Sequence, residues 1–476
     1  MTLWTKSELL EALSGELLQH YLTDDLAITE VVIDSRKTPK SGLFLALKGE
    51  KNDAHDFLDQ AFTNGCRVVL IHDKNKIPQK EFLLVKDTFV ALYKLAEYSR
   101  NRSPAKIIGV TGSVGKTSTK EMLKLVFETQ FETPGKTFST FGNLNNHIGL
   151  PLSLCNFSAD CEYGIFEMGM NHLGEIDPLT KLAKPHLALI TNVGPVHIEF
   201  FKNEEEIALA KSEIFAGLVE NGIALINHDN KHFDFLEKRA AYYKINPQNL
   251  ISFGEKNPSN YQIIDFKIKN SLAAEVKAKL KNGLEISYEI ASSNPAIIFN
   301  SIIAIACLDL LGKDFTKGIS AFKNLENPAG RGQVFEMKID KKNITVIDDS
   351  YNASAPSMRA GLQHAKNLKI ALNKKRVVAA LGDMLELGEK SVELHLEIIN
   401  YLQEFNIDFA ILVGEKIAEN AKNLPKNSYK TFLNSSLANL EIKNLLQDGD
   451  ILYIKGSRGM KMERIIENLT DKKSAH

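Results

Sequence analysis

Little in this chain is extreme, and what is scarce narrows the options. Of 476 residues, 58 are Lys or Arg and 59 are Asp or Glu, a formal net charge of -1. No surplus of either sign is available to gather nucleic acid or an anionic membrane surface, so any anionic ligand has to be held by local groups. Only four cysteines occur, Cys66, Cys155, Cys161 and Cys307, and none forms a C-x-x-C pair. That argues against a zinc site and against a disulfide-built secreted scaffold, and apolar neighbours such as Ile305, Ala306 and Leu308 make Cys307 a core residue. No stretch approaches the ~18 apolar residues of a membrane span, and the opening Met1-Thr-Leu-Trp-Thr-Lys-Ser-Glu lacks the apolar centre of a secretory leader. No repeat period or low-complexity tract stands out. The expectation is a cytoplasmic protein with no nucleic-acid partner and no membrane insertion.

Length then sets the organisation, because at about 150 residues per domain the chain calls for roughly three cores. Residues 1–102 contain short strand-like runs at 31–33, 43–47 and 67–71 with helical stretches near 57–64 and 89–100, and Asn101-Arg102-Ser103-Pro104 breaks the pattern. Residues 103–326 alternate strands, at 163–166, 187–191 and 223–226, with helices, which implies a mostly parallel sheet covered on both faces. Within them, 261–269, 273–280 and 284–290 alternate in polarity around Lys281-Asn282-Gly283 and read as a hairpin excursion from that sheet. Asn327-Pro328-Ala329-Gly330-Arg331-Gly332 opens the last block, 327–476, where 376–381, 409–413 and 451–454 each run into a glycine turn and a helix. The fold class is therefore α/β. It comprises a small α/β N-terminal domain, a central P-loop domain with a doubly wound, mostly parallel sheet, and a C-terminal Rossmann-like domain.

The most informative segment is Ile107-Ile-Gly-Val-Thr-Gly-Ser-Val-Gly-Lys-Thr-Ser-Thr119, which follows an apolar run and leads into a stretch with helical spacing. Strand, glycine loop and helix in that order make a polyphosphate cradle. Gly112 and Gly115 allow the backbone to turn its N–H groups inward, the helix start adds positive potential, Lys116 adds a charge and Thr117 an oxygen for magnesium. Thr111, Ser113, Val114 and Ser118 complete the loop. The first glycine of the strict G-x-x-x-x-G-K-[ST] spacing is replaced by Val110.

Open α/β sheets bind ligands at the carboxyl ends of their strands, which singles out Glu167, after the run 163–166, as a carboxylate able to hold magnesium beside Thr117. His197 also follows a strand, although alone it would more often be a structural histidine. Asn203 with Glu204, Glu205 and Glu206 forms a helix start with a side-chain cap, a capping-box partner and acidic first turn. By spacing, Lys211 inside that helix is a solvated lysine.

The set Thr111-Gly-Ser-Val-Gly-Lys-Thr-Ser, Gly142-Asn-Leu-Asn-Asn-His-Ile-Gly-Leu-Pro, Phe166-Glu-Met-Gly-Met, Asn192-Val-Gly-Pro-Val-His, Ala210-Lys-Ser-Glu, Gly330-Arg-Gly, Asp348-Asp-Ser-Tyr-Asn-Ala, Leu381-Gly-Asp-Met-Leu-Glu-Leu-Gly-Glu and Lys455-Gly-Ser-Arg-Gly-Met-Lys-Met-Glu resembles the ATP-dependent Mur ligases of peptidoglycan synthesis. The resemblance runs from Asp34-Ser35-Arg36 to Glu463. These particular forms are similar to those of the member that joins D-alanyl-D-alanine to UDP-N-acetylmuramoyl-tripeptide. The resemblance implies ATP on Lys116 and the loop amides, one magnesium ion on Thr117 and Glu167, and a second served by His197 and a carbamylated Lys211. It also implies adenine at Asn300, phosphate at Arg331 and ribose at Asp349. Ser35 and Arg36 fall where the uridine diphosphate is held, Asn145 and Asn146 on the loop meeting sugar and phosphates, and Asp383, Lys455 and Arg458 toward the dipeptide or ATP. The protein is expected to act as a monomer. Where relatives carry His-Asn this chain has Ala296-Ile297, and the family's Tyr-Asn-Ala-Asn-Pro is replaced by Tyr351-Asn-Ala-Ser-Ala355, with Pro356 displaced by one.

Three alternatives stay open at this point. A ligase adding a diamino acid would carry Asp-Asn-Pro-Arg where Val413-Gly414-Glu415-Lys416 stand, a folylpolyglutamate synthase would be a more distant cousin, and a nucleotide-dependent switch would use the glycine loop without ligation.

Overall fold

Aliphatic runs without polar alternation suit strands covered on both faces, and the chain uses them to build parallel sheets. In the computed structural model, which describes residues 2–467 except 197, 327 and 328, together with residue 469, these strands form four sheets. The first large sheet runs Leu17–Tyr21, Phe82–Val85, Cys66–Ile71, Gly42–Leu45, Glu30–Val32, with only the Leu17–Tyr21 edge antiparallel. Trp4–Thr5 pairs separately with Ala27–Ile28. The expected strands at 31–33, 43–47 and 67–71 are present with slightly shifted ends, while the two strands nearer the antiparallel edge were not anticipated.

The central sheet has nine strands in the order Glu285–Ile290, Ala273–Lys279, Tyr261–Asn270, Leu250–Gly254, Ile223–Asn227, Leu187–Ile190, Lys106–Thr111, Tyr163–Glu167, Thr137–Ser139. The segment read as an excursion is part of it. Phe253 and Gly254 pair in parallel with Tyr261 and Gln262, so the antiparallel meander extends the sheet edge. Side chains of the central strands divide between two interiors, as alternation requires. Ile107, Phe166, Ala188 and Ile190 face one apolar cluster and Ile108, Val110, Leu187 and Leu189 the other. The third large sheet runs Gln333–Ile339, Lys342–Asp349, Ile451–Lys455, Val377–Gly382, Phe409–Val413, Tyr429–Phe432, parallel except for its first hairpin.

Local chemistry sets the helices that matter for the site. Asp87 caps Thr88–Arg102 by accepting from the Phe89 and Val90 amides, and its buried positions 88, 91, 92, 95, 96 and 99 form one stripe. The helix ends where Ser103 turns extended ahead of Pro104. Pro295–Leu310, capped by Asn294 and opened by a proline at its first turn, is apolar on every side and is buried from Ile297 to Leu308 save Phe299.

The interior does not divide at residue 102, because one cluster runs from Leu3 and Leu92 through Phe157 and Ile176 to Ile226. The boundary expected at 326/327 abuts residues outside those described, as do residues 470–476. Among the described residues no helix is long and apolar enough to cross a membrane, and all four cysteines are buried with free thiols.

Buried Arg100 ties the first sheet's long helix to the central unit by donating to the carbonyls of Ala183, Lys184 and Ser103. Replacing it with Met strands those acceptors, and Arg100→Met is expected to lower stability by about 2–3 kcal/mol, read as an earlier urea midpoint in equilibrium denaturation.

Candidate functional site

The Lys106–Thr111 strand is flanked by Tyr163–Glu167 on one side and Leu187–Ile190 on the other, so the chain leaves it in opposite directions and opens a crevice at its carboxyl end. The glycine loop occupies that crevice. Gly112 and Gly115 have φ of 153° and 86°, and Gly115 forms the N-terminal boundary of the helix Lys116–Glu128. Gly112 is also a steric requirement, since a Cβ there would lie 2.0 Å from Thr191 Oγ1. The loop is stapled to the segment after Leu187–Ile190. The Ser113 N–H donates to Asn192 O at 2.7 Å, Ser113 Oγ donates to Gly194 O at 2.9 Å, and Thr191 Oγ1 donates to Val114 O at 2.7 Å. Lys116 Nζ turns back onto Gly112 O at 2.5 Å. Loop carbonyls are thereby occupied by neighbours while the helix start keeps its amides for an anion.

Glu167, 2% exposed, ends its strand with both oxygens occupied, Oε2 accepting from Thr117 Oγ1 at 2.9 Å and Oε1 from Asn145 Nδ2 at 2.8 Å. Its own amide donates to Thr140 Oγ1. One turn beyond Lys116, Lys120 is fully buried and donates to Thr140 O and Gly142 O, with Glu121 2.9 Å away. This lysine anchors the start of the loop that carries Asn145 and Asn146. A lysine four positions after another on an amphipathic helix carries no sequence signal of burial, and Lys120, like Thr140 and Thr191, was not anticipated.

Lys211 is buried and not solvated as its helical spacing suggests. The Asn203 cap forms as expected, donated to by the Glu206 amide, but Glu206 reaches back to the Lys202 amide instead of closing a capping box. Lys211, at the end of Glu204–Ser212, is 4% exposed, and its ammonium makes no hydrogen bond or ion pair among the described residues. Burial, and then repulsion from Lys116, push its pKa well below the usual lysine value. Lys116 is itself shifted down, by burial first and Arg331 in addition, with Glu167 opposing. His197 lies outside the described residues.

The third sheet supplies the facing wall. Gly330 and Gly332 are held to the Asp348–Tyr351 turn by backbone and Asp348 carboxylate bonds, which sets Arg331 over the Tyr351 ring at 4.0 Å. Asp349 and Lys455 are register partners at the ends of adjacent parallel strands, and Lys455 Nζ donates to Asp349 Oδ2 at 2.6 Å and to Asn352 O at 2.9 Å. Burial raises the Asp349 carboxyl against the pull of Lys455 and Arg331. Asn300, on the apolar helix, has its Oδ1 3.9 Å from the position of a Cβ on Gly115. Pro356 approaches Gly194, where a Cβ would be 3.7 Å from its ring, so the displaced proline rests against the segment that staples the glycine loop.

Other expected site residues are engaged locally. Ser35 Oγ donates to Gln60, and Arg36, 76% exposed, grips Asp34 with a two-pronged contact that holds the Asp34 carboxyl at about 2. Asn146 Oδ1 accepts from the Ile148 and Gly149 amides just ahead of and at the start of Gly149–Cys155. The Asp383 carboxylate accepts from the Lys416 and Ile417 amides at the start of Glu415–Glu419, and a Cβ on Gly414 would lie 2.4 Å from it. Arg458 pairs with Glu463 at 3.1 Å and stands 5.4 Å from the Tyr351 ring.

Comparison with known proteins agrees over the whole length. Three family models match in order: Mur ligase family, catalytic domain, over residues 27–104; Mur ligase middle domain over 110–308; and Mur ligase, glutamate ligase domain, over 330–458. A UDP-N-acetylmuramoyl-tripeptide--D-alanyl-D-alanine ligase from Rickettsia prowazekii is 34% identical over 98% of this chain and 99% of its own, and the ligase of that name from Escherichia coli is 33% identical over 98% of each. A crystal structure of MurF from Acinetobacter baumannii superposes with a TM-score of 0.83 at 29% identity, covering 98% of both chains. MurF ligase from Thermotoga maritima in complex with ADP superposes at 0.78, with 27% identity over 94% of this chain and 98% of that one.

The Gly112 contact yields a direct test. Gly112→Ala must displace either the loop or Thr191, and a shift of about 1 Å in the cradle is expected to weaken ADP binding by about 100-fold, measured by calorimetry at a temperature where circular dichroism shows the variant still folded.

Proposed function

This chain belongs to the Mur ligase family, and from that premise we propose that it is an ATP-dependent, ADP-forming ligase that adds D-alanyl-D-alanine to UDP-N-acetylmuramoyl-tripeptide in the cytoplasmic part of peptidoglycan synthesis. The observation that carries the reading is the convergence of the glycine loop, half-buried Lys116, buried Lys211, Glu167 and the Arg331 turn at one crevice, in a chain matched end to end by ligases of that name.

The chemistry follows from the poor reactivity of a carboxylate. The tripeptide carboxylate oxygen attacks the γ-phosphorus of ATP, the bond to the β-phosphate oxygen breaks, and ADP leaves an acyl phosphate. The dipeptide amine then attacks the acyl carbon, loses a proton, and expels phosphate as the amide forms. Bringing a carboxylate to a triphosphate opposes like charges, so Lys116, the loop amides and Arg331 serve to neutralise the approach and align the reactants. In this reading Asn300 meets adenine and Asp349, held by Lys455, meets ribose. Ser35 and Arg36 serve the uridine diphosphate end, and Asn145 and Asn146 the sugar and its phosphates. Arg458 faces the dipeptide or ATP, while Asp383 contributes by ordering the turn into Glu415–Glu419.

The donor set suits magnesium on one side. Thr117 Oγ1 and Glu167 Oε2 are hard oxygens already 2.9 Å apart, of the kind such an ion takes together with phosphate oxygens. When bound, the ion supplies Lewis-acid stabilisation of phosphoryl transfer. An ammonium at Lys211 does not suit a second cation, but its depressed pKa supplies the neutral amine that adds to carbon dioxide. The N–C bond forms, a proton is released, and the resulting carbamate presents oxygens where a charge would otherwise repel. Together with His197, a carbamylated Lys211 would serve the second ion. The reading takes the protein to act as a monomer.

Incubation with UDP-N-acetylmuramoyl-tripeptide, ATP and candidate amines, followed by product mass, is expected to show addition of D-alanyl-D-alanine with one ADP per product. ADP release that ignores the amine would instead mark a nucleotide-driven switch. Lys211→Ala is expected to lose about 100-fold in turnover and to recover part of it in short-chain carboxylate; full activity in the unsupplemented variant would eliminate the carbamate.

A further inference from the structure

We infer that Tyr351 is a positioning residue for nucleotide binding, its ring holding the Arg331 guanidinium in place while leaving that group's N–H donors free for phosphate oxygens. The inference rests on the reading of the glycine loop as an ATP site and adds a residue to it.

A guanidinium can be fixed by a carboxylate or by an aromatic face, and the two have different consequences. A carboxylate accepts two of its N–H groups and neutralises its charge, whereas a ring attracts the cation through its quadrupole and accepts none of its in-plane donors. Arg331 is held in the second way. Its Cζ lies 4.0 Å from the Tyr351 centroid, and none of its side-chain donors makes a hydrogen bond among the described residues. Arg458, 5.4 Å from the same ring, is the contrasting case, since Glu463 already takes one of its donors at 3.1 Å.

The backbone around the pair is pinned. The Tyr351 amide donates to Gly330 O at 3.0 Å, the Gly332 amide to Asp348 O at 2.8 Å and the Gly330 amide to Asp348 Oδ2 at 3.1 Å. The long Arg331 side chain is therefore the soft part of this wall, and it lies near enough to Lys116 to contribute to the lowering of that lysine's pKa. The ring limits that freedom before a ligand arrives, lowering the ordering cost that binding has to meet. The Tyr351 hydroxyl makes no hydrogen bond among the described residues, so the ring and not the hydroxyl carries the effect.

The test uses the full chain and ATP without the other substrates, followed by steady-state kinetics. Tyr351→Leu is expected to weaken ATP binding and raise KM for ATP by about tenfold, equivalent to ~1.4 kcal/mol, with KM for the UDP-linked substrate unmoved. Tyr351→Phe, which keeps the ring, is expected to restore affinity to within about twofold of wild type. Tyr351→Leu binding ATP as tightly as wild type, or Tyr351→Phe losing as much as Tyr351→Leu, would overturn the assignment. A double-mutant cycle with Arg331→Met guards against a general loss of folding. Coupling of at least about threefold supports the ring contact, and additive losses refute it. A wild-type protein that binds no ATP would instead remove the nucleotide reading itself, and this assignment with it.

Discussion

A buried lysine, a half-buried lysine and an arginine share one crevice, and the organisation of this protein turns on how that charge is tolerated. Burial weighs most on both lysines, and Lys116 in addition feels Arg331 while Lys211 feels Lys116, so both ammonium groups sit below their ordinary pKa. Glu167 offsets part of this charge while also holding Thr117 and Asn145. Such a site stays poised for anionic oxygens, because a polyphosphate relieves the mutual repulsion that the folded chain maintains in its absence. Chemistry between a carboxylate and a triphosphate needs that bias, and the neutral amine it favours at Lys211 is the form able to take up carbon dioxide.

The sheets hold this arrangement by register more than by individual contacts. Parallel pairing brings the carboxyl ends of strands level, so Thr111, Glu167 and the segment after Ile190 meet at one edge. The same rule places Asp349 directly beside Lys455 in the third sheet. Between the sheets, the glycine loop is bonded to the 191–194 segment, which in turn meets Pro356. The loop, the 191–194 segment and the first turn of the helix Ala355–Ala371 thus lie in one series of neighbouring groups. Closer to the helix start, Lys120 links the loop's helix to the segment bearing Asn145 and Asn146 by donating to Thr140 O and Gly142 O.

Much of this was legible in the residues. The strand, glycine loop and helix were readable because glycine, lysine and threonine have few reasons to occur together between an apolar run and an amphipathic one, and the strand-end position of Glu167 follows from the general geometry of open sheets. The alternation at 261–290 reads as a hairpin excursion from the central sheet, and the strands do pair antiparallel while also continuing that sheet's edge. Their link to the sheet rests on two parallel pairs, Phe253 with Tyr261 and Gly254 with Gln262, which no periodicity reveals. Lys211 and Lys120 were the hard cases, since burial of a lysine depends on which surfaces close over it and leaves no mark in helical spacing.

The amino-acid order by itself determined the α/β class, the cradle at 111–118 and the absence of any global charge that could substitute for it, because backbone freedom, alternation and composition act over a few neighbouring residues. Tertiary structure alone decided which charges share a dielectric. That Lys116 lies near Lys211 and Arg331, that Arg331 rests on Tyr351 and not on a carboxylate, and that Asp383 is spent on a helix start are outcomes of long-range packing. Electrostatic cost and desolvation are properties of the assembled interior, and residues far apart in the chain acquire them only when the sheets and helices come together.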